Sequence, residues 1–557
     1  MGKIGKAANA LRSENLLRRD EVVTNFMGGD SYKVNPLDTL KLITASSIFA
    51  EPSYYRDGGL GVRVVDEKYN VHPLLRDFSM LNDESGKTTT EIMEDAIDAA
   101  LDYDFDGVLE WAKELRLHYN MRLNPQVIMV RAAVHPKRKE YTDSHKGKFG
   151  EVEQIVMRRA DEPMSQIAYY IYLNGGVKAN MPSVLKRALA KRLSASSAYE
   201  VNKYKQHEIG MIDAVRITHA HSQVLDELMQ TGKVIVSDDK KTWEAMRSAG
   251  TDWKTIFHSV NMGHMALLRN LRGVFTEVND AAFCDEYLAA LVAGRLRQRL
   301  RLQFPFRYYS AYMAVENSSC NHKGKILDAL DACIDISLAN MPKLKGKTMC
   351  LSDNSGSAWG TIPTEYGSVT VTEIDNLSSV ITSACSDEGY VGKFGDKLKV
   401  FDTRKKVGIL EQAKAISRDH GTDVGMSTEG GIWEFFNNAI RNKEHWDNIF
   451  IYSDQQAGTG GLYGTQEQCL AYSKRGFAAG NGCFGSYINV FKLVQEYRKK
   501  VNPKVNVFSI QTAGYSNVVI PKYAYRTNLM YGWTGRESVF ADAVIKEWDA
   551  IEAKQNI

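Results

Sequence analysis

Asp353, Ser355 and Ser357 stand two residues apart in the run Cys350–Leu351–Ser352–Asp353–Asn354–Ser355–Gly356–Ser357. A carboxylate and two hydroxyls at that spacing, on a tight loop after the short apolar strand predicted over Thr348–Leu351, make half a site for a small hard cation. The missing oxygens follow in order. Thr422, in Gly421–Thr422–Asp423, offers a third hydroxyl, and Asp454 closes the buried-type strand predicted over Asn448–Tyr452. Mg²⁺ takes octahedral oxygen ligands and keeps several waters, so two carboxylates and three hydroxyls suit it. Open α/β sheets bind ligands beyond the carboxyl ends of their strands, where both aspartates fall. Asp, Ser and Gly are also turn residues, so Asp-x-Ser-x-Ser alone reads more readily as a turn; Thr422 and Asp454 in sequence favour the cation.

A second chemistry is written in basic clusters. His135–Pro136–Lys137–Arg138–Lys139 is one. Lys186, Arg187, Lys191, Arg192, Lys203 and Lys205 form another, with only Glu200 acidic between its ends. Arg295, Arg297, Arg299, Arg301 and Arg307 form a third, beside Phe304, Phe306, Tyr308 and Tyr309. Arginine and lysine for phosphates, with aromatics for stacking, is a composition suited to single-stranded nucleic acid. For any one cluster, the competing reading is a solvated helix face over core aromatics. The stretch Glu91–Asp106 is acidic and has no basic residue. His207, His219 and His221 lack the cysteine or carboxylate partners of a zinc site. No phosphate-binding loop or dinucleotide fingerprint occurs, and no nucleophile motif surrounds a cysteine.

The elements that must position these residues differ along the chain. At 557 residues, two or more domains are expected. After about residue 345 strands alternate with helices: strands over Thr348–Leu351, Lys397–Phe401, Asn448–Tyr452 and Val505–Ile510, helices over Glu373–Cys385, Gly408–Arg418, Gly430–Asn442, Tyr487–Lys499 and Glu537–Ala553. That pattern predicts parallel βαβ units in a doubly wound sheet. Gly458–Gly485 reads as a Gly-rich excursion near Asp454. Before residue 345, apolar residues recur at helical spacing, as in Val184, Leu185, Ala188, Leu189 and Leu193, and convincing strands are scarce. This predicts many short helices packed as an irregular solenoid. Seven cysteines without paired spacing point to a reducing compartment. No apolar run is long enough to span a bilayer. Met1–Asp20 is basic and helical in pattern but lacks the apolar core of a signal peptide, so a cytoplasmic location is expected.

The Asp-x-Ser-x-Ser loop with Thr422 and Asp454 resembles the metal-ion-dependent adhesion site of a von Willebrand factor A-type domain. Taken with the helical part, the chain resembles the TROVE family, the Ro ribonucleoprotein autoantigen and its bacterial relatives. The segment Phe257–Leu271, ending Ala266–Leu267–Leu268–Arg269–Asn270–Leu271, and Lys203–Tyr204–Lys205–Gln206 followed by Asp213, Arg216 and His219, carry that resemblance in the same order as in the family. The Gly458–Gly485 excursion is longer than usual, and two further departures stand out. His207–Glu208–Ile209–Gly210 replaces a Trp-Ser-His-like element, and Ala358 follows Ser357 where a Met is common.

The resemblance implies an all-α ring of HEAT-like helical repeats over 1–345 and an α/β doubly wound A-like domain over 346–557, holding Mg²⁺ or another divalent cation at Asp353, Ser355, Ser357, Thr422 and Asp454. It implies a non-catalytic RNA-binding protein. Small non-coding Y-type RNAs would bind an outer basic surface at Lys203, Lys205, Arg216 and His219, extended by Arg187, Lys191 and Arg192. Lys137 and Arg138 are further basic candidates. Single-stranded 3′ ends of misfolded RNAs would enter a central hole, and an exoribonuclease is an expected partner in RNA quality control. A monomer without membrane attachment is expected. The alternative is a cation-dependent protein-adhesion module whose main role is docking a partner at the A domain.

Overall fold

The computed structural model describes residues 22–24, 30–46, 89–174, 180–204, 209–234, 242–297, 305–339, 341–359, 361–364, 367–403, 407–425, 429–455, 478–479, 487–512, 517–521 and 524–554. The patterns read over Met1–Asp20 and almost all of Gly458–Gly485 lie outside them. The described residues fall into two compact units.

The first unit holds residues 35–46 and 89–262 and is all helix. Helices pack on near neighbours in sequence: Phe105–Leu117 on Asn124–Val134 and Lys148–Val156, then Ser183–Ser194 on Lys148–Val156 and Met211–Thr218. Packing of this kind, each helix on its near neighbours, is that of stacked helical repeats. The predicted stripe is buried at Leu185, Ala188, Leu189 and Leu193. A polar network crosses this interior. Arg116 pairs with Glu162 at 2.7 Å and donates to the Val156 carbonyl, while Glu162 also accepts the Arg158 and Arg159 amides.

The second unit holds residues 22–34 and those from 263 onward. Its centre is a six-stranded sheet of β1 (Leu344–Asp353), β2 (Ser386–Phe394), β3 (Leu398–Asp402), β4 (Asn448–Ser453), β5 (Asn506–Gln511) and β6 (Thr527–Tyr531). Its order is β6-β5-β4-β1-β2-β3. All neighbours are parallel except β2 and β3. The strand predicted over Lys397–Phe401 is therefore an antiparallel edge and not part of a parallel βαβ unit. Only Gly395–Lys397 separates it from β2, too few residues for a crossover. The central strands β4 and β5 are buried at every position, which is why they read as continuous apolar runs. The helix expected from Tyr487 begins instead at Val490, because Asn489 caps it by accepting from the Lys492 amide. A small sheet absent from the sequence reading joins Val22–Thr24 and Asp30–Lys33 to Asn517–Val518.

The passage from helix to sheet lies between Leu338 and Leu344, while the division expected from the sequence is at 345/346. In compactness, the four helices from His264 to Leu338 belong with the sheet. Tyr309 donates to Glu373, Lys414 pairs with Glu316, and the Leu410 amide donates to Asp331. Among the described residues no helix is long and apolar enough to cross a membrane, and the five described cysteines are buried and unbridged.

Candidate cation site and basic helical face

In this sheet β1 lies between β4 and β2, so the chain reverses its winding direction between β1 and β4. The crevice beyond the carboxyl ends of those two strands is the topological switch point, where such sheets bind ligands. Ser352 of β1 stands opposite Tyr452 of β4, so Asp353 and Ser453 end their strands side by side and Asp454 follows directly. Both aspartates are buried, as is Ser355.

Asp353 is held from two sides. Its Oδ1 accepts the Ser355 amide at 2.8 Å and its Oδ2 accepts the Ser453 hydroxyl at 2.6 Å. Burial, and after it the neighbouring Asp454 carboxylate, pushes Asp353 up to about 7 against those hydrogen bonds. The loop after Asp353 is pinned from the following helix, α1 (Val371–Ala384). Asn376 accepts from Ser352 Oγ at 2.7 Å and from Asn354 Nδ2 at 2.9 Å, and donates to Asn354 Oδ1 and Ser417 Oγ. Thr370 and Glu373 close a capping box that fixes where α1 begins.

The loop carrying Thr422 is drawn onto the same place. Gly421 has φ +74°, and a Cβ there would lie 2.4 Å from the Asn354 carbonyl oxygen, which also accepts the Trp359 indole N–H. Thr422 itself is exposed and donates its hydroxyl to the Asp419 carbonyl at 2.6 Å. Its neighbour Asp423 pairs with Lys393, a lysine buried inside β2, at 2.6 Å. Ser357 opens a short 3₁₀ turn, Ser357–Trp359, and its side chain lies outside the described residues. The structure thus brings Asp353, Ser355 and Asp454 together, with Thr422 beside the loop.

The donor set is oxygen only, which suits Mg²⁺ rather than a soft metal. Two buried carboxylates facing one crevice repel each other, and a divalent cation between them relieves that repulsion. Among the described residues no three His, Cys, Asp or Glu side chains converge as direct ligands. Hydroxyls and water would complete any coordination. The sequence pattern does not point to Asn376, nor to the role of Ser453 in holding Asp353. Their only signal is polarity where a crossover helix and a strand end should be apolar.

The basic candidates lie in the all-helical unit. On α2 (Ser183–Ser194), Arg187 and Lys191 are exposed; on α3 (Ala198–Tyr204), Lys203 is exposed; on and just past α4 (Met211–Thr218), Arg216 and His219 are exposed. Lys186 Nζ lies 3.4 Å from His219 Nε2, which brings the start of α2 to the end of α4. His219 adopts the left-handed conformation that ends its helix. Arg192 is half-buried and pairs with Glu200 at 2.8 Å, joining α2 to α3. Lys137 is exposed and bridges Asp102 of the acidic stretch, while Arg138 is half-buried at the start of its helix. Lys205 lies outside the described residues. In the other unit Phe306, Tyr308 and Tyr309 are buried, so these are core aromatics and not stacking platforms.

No protein-family model matches the chain, and no curated protein matches it. Among solved structures, the crystal structure of the Ro (RSR) protein of Deinococcus radiodurans matches with a TM-score of 0.51. The match covers 91% of this chain and 100% of that one, at 11% sequence identity. The chain has a Ro-like fold. At that identity the likeness is one of architecture.

Proposed function

We propose that the chain is a non-catalytic RNA-binding protein of the Ro type. It binds small structured non-coding RNA, of the Y-type class, on the basic helical face, takes up single-stranded 3′ ends of misfolded RNA, and acts in RNA quality control or as an adaptor for an exoribonuclease. The observation that carries this reading is the set of exposed cations on three successive helices, Arg187 and Lys191, then Lys203, then Arg216, with the exposed imidazole of His219 just past the last. Structured RNA is held by charge and shape more than by base sequence, and such a face supplies charge on a rigid scaffold. The A-like part would hold Mg²⁺ through Asp353 and Asp454, with Ser355, Ser357 and Thr422 assisting directly or through water. Such an ion supplies a positive point for an acidic group of a partner.

The test is fluorescence anisotropy of a hairpin RNA with a single-stranded 3′ tail, titrated with the full chain at several salt concentrations. Tight, salt-sensitive binding is expected. Replacing Lys203 and Arg216 together by Ala should weaken it and flatten the slope of log K against log salt by about 1 to 2, at roughly 0.7–0.9 for each phosphate no longer neutralised. An unchanged slope and affinity would remove these helices from the interface. The RNA should survive incubation with Mg²⁺ uncut.

A second reading, favoured by the paired carboxylates at the switch point, makes cation-dependent docking of a partner protein the main role. Asp353→Ala should then abolish Mg²⁺-dependent capture of the partner while RNA binding persists.

A further inference from the structure

Helix α1 crosses from β1 to β2 and is buried along nearly its whole length, at every position from Val371 to Ser383 except Glu373. A crossover helix in that position should present a broad apolar stripe. Instead Thr372, Asp375 and Ser379 share one face at intervals of three and four residues, and all three are buried. Neither carboxylate oxygen of Asp375, nor the hydroxyl of Thr372 or Ser379, has a hydrogen-bond partner of good geometry; the same holds for Ser509 on β5. Buried polar groups are almost always satisfied, and a buried carboxylate with no donor on either oxygen is the costliest kind of exception. The groups that act on the charge of Asp375 are Asp353, Asp454 and the Thr512 hydroxyl. Its carboxyl is pushed well above the usual range, chiefly by burial, then by Asp353, with Asp454 adding to it, while the Thr512 hydroxyl opposes the rise.

These neighbours show what is missing. Asp375 feels both aspartates of the crevice yet does not join them as a direct ligand set. The waters on a bound Mg²⁺ are strong hydrogen-bond donors, and Asp375 offers two buried oxygens that lack a donor of good geometry. We propose that Asp375 is a third carboxylate of the cation site, linked to the ion through its coordinated water, with the buried hydroxyls around it completing that water's surroundings. The inference rests on the cation reading above. It assigns α1 a positioning role: the helix that pins the Asp353 loop through Asn376 also carries the acceptor for the ion's water.

The test is calorimetric titration of the metal-free full chain with Mg²⁺, alongside thermal unfolding with and without the ion. The variants are Asp375→Asn and Asp375→Ser, with Asp353→Asn as reference. Asp375→Asn should bind Mg²⁺ about 10–100-fold more weakly, the usual cost of losing an outer-sphere partner. Without metal it should unfold at a higher temperature than the parent, since an unmatched buried acid has gone. Asp375→Ser, which is smaller, should show the same loss of affinity. If both variants bind Mg²⁺ as the parent does, Asp375 is only a buried acid and the inference falls while the cation reading stands. If the parent itself binds no Mg²⁺, the cation reading falls and this inference with it.

Discussion

Ser453 donates its hydroxyl to Asp353 Oδ2 across 2.6 Å, so the last residue of β4 holds the last residue of β1. The same Ser453 oxygen accepts the Gln455 amide at 2.8 Å, and Gln455 adopts a left-handed backbone with φ 60°. One hydroxyl therefore fixes both the carboxylate and the path of the chain past Asp454. Ser453→Ala should cost about 1–3 kcal/mol, because it leaves a buried carboxylate oxygen and an amide each short of a partner. Chemical denaturation measures that cost. Mg²⁺ affinity should drop about tenfold in the same variant as Asp353 loses its orientation; unchanged affinity would mean that Ser453 serves the fold alone.

Gly421 tests whether the Thr422 loop belongs to the crevice. Its φ of +74° already disfavours an L side chain, and a Cβ would press into the Asn354 carbonyl and the Trp359 indole. Gly421→Ala should destabilise the second unit by about 1–3 kcal/mol. It should also displace the Asp353 loop. The tryptophan fluorescence of Trp359 is expected to shift, and Mg²⁺ binding to weaken, with the all-helical unit unaffected.

Arg116 and Glu162 are both almost fully buried, and each has backbone partners besides the other. Arg116→Met keeps most of the volume but leaves Glu162 as an uncompensated internal charge. Breaking a buried pair from one side costs about 3–5 kcal/mol. The double variant Arg116→Met, Glu162→Gln should recover a large part of the loss. A single-variant cost under about 1 kcal/mol would show that the pair is effectively solvated.

How far the sequence reached follows from what each residue had to satisfy. The strands β1, β4 and β5 were legible because both faces are covered, so Asn448–Ile449–Phe450–Ile451–Tyr452 and Val505–Asn506–Val507–Phe508 had to be largely apolar. Strand β2 was not. It opens Ser386–Asp387–Glu388–Gly389, with Asp387 and Glu388 exposed, and it buries Lys393, whose charge is answered by Asp423 and the Arg418 carbonyl from distant loops. Local pattern cannot show a lysine made acceptable by partners so far along the chain. The aspartates of the cation site were legible because strand ends and residue spacing announce them. Asp375 and Asn376 were not, since polar residues on a helix ordinarily signal its solvent face. Only the sheet order, which buries α1 all round, turns those same residues toward the site.

Glu153 gives the clearest pH dependence in the all-helical unit. Its Oε2 accepts from Gln166 Nε2 at 2.9 Å, and Gln166 is tied in turn to Gln126 at 2.7 Å. Burial pushes the Glu153 carboxyl up from its ordinary 4.5 to about 8, against the lowering effect of Gln166. The folded chain therefore holds a proton there that the unfolded chain releases above about pH 4.5. A raised folded value means that the contribution is fully present below 4.5 and is lost as pH climbs toward 8. Glu153→Gln keeps the shape and removes the titration. Between about pH 5 and 8 the parent should lose about 2–4 kcal/mol relative to this variant, with the gap widening steadily as pH rises. Urea unfolding at several pH values measures it. A constant gap would show that Glu153 ionises in the folded state much as it does in the unfolded one, and that the Gln126–Gln166 pair solvates it more fully than its burial implies.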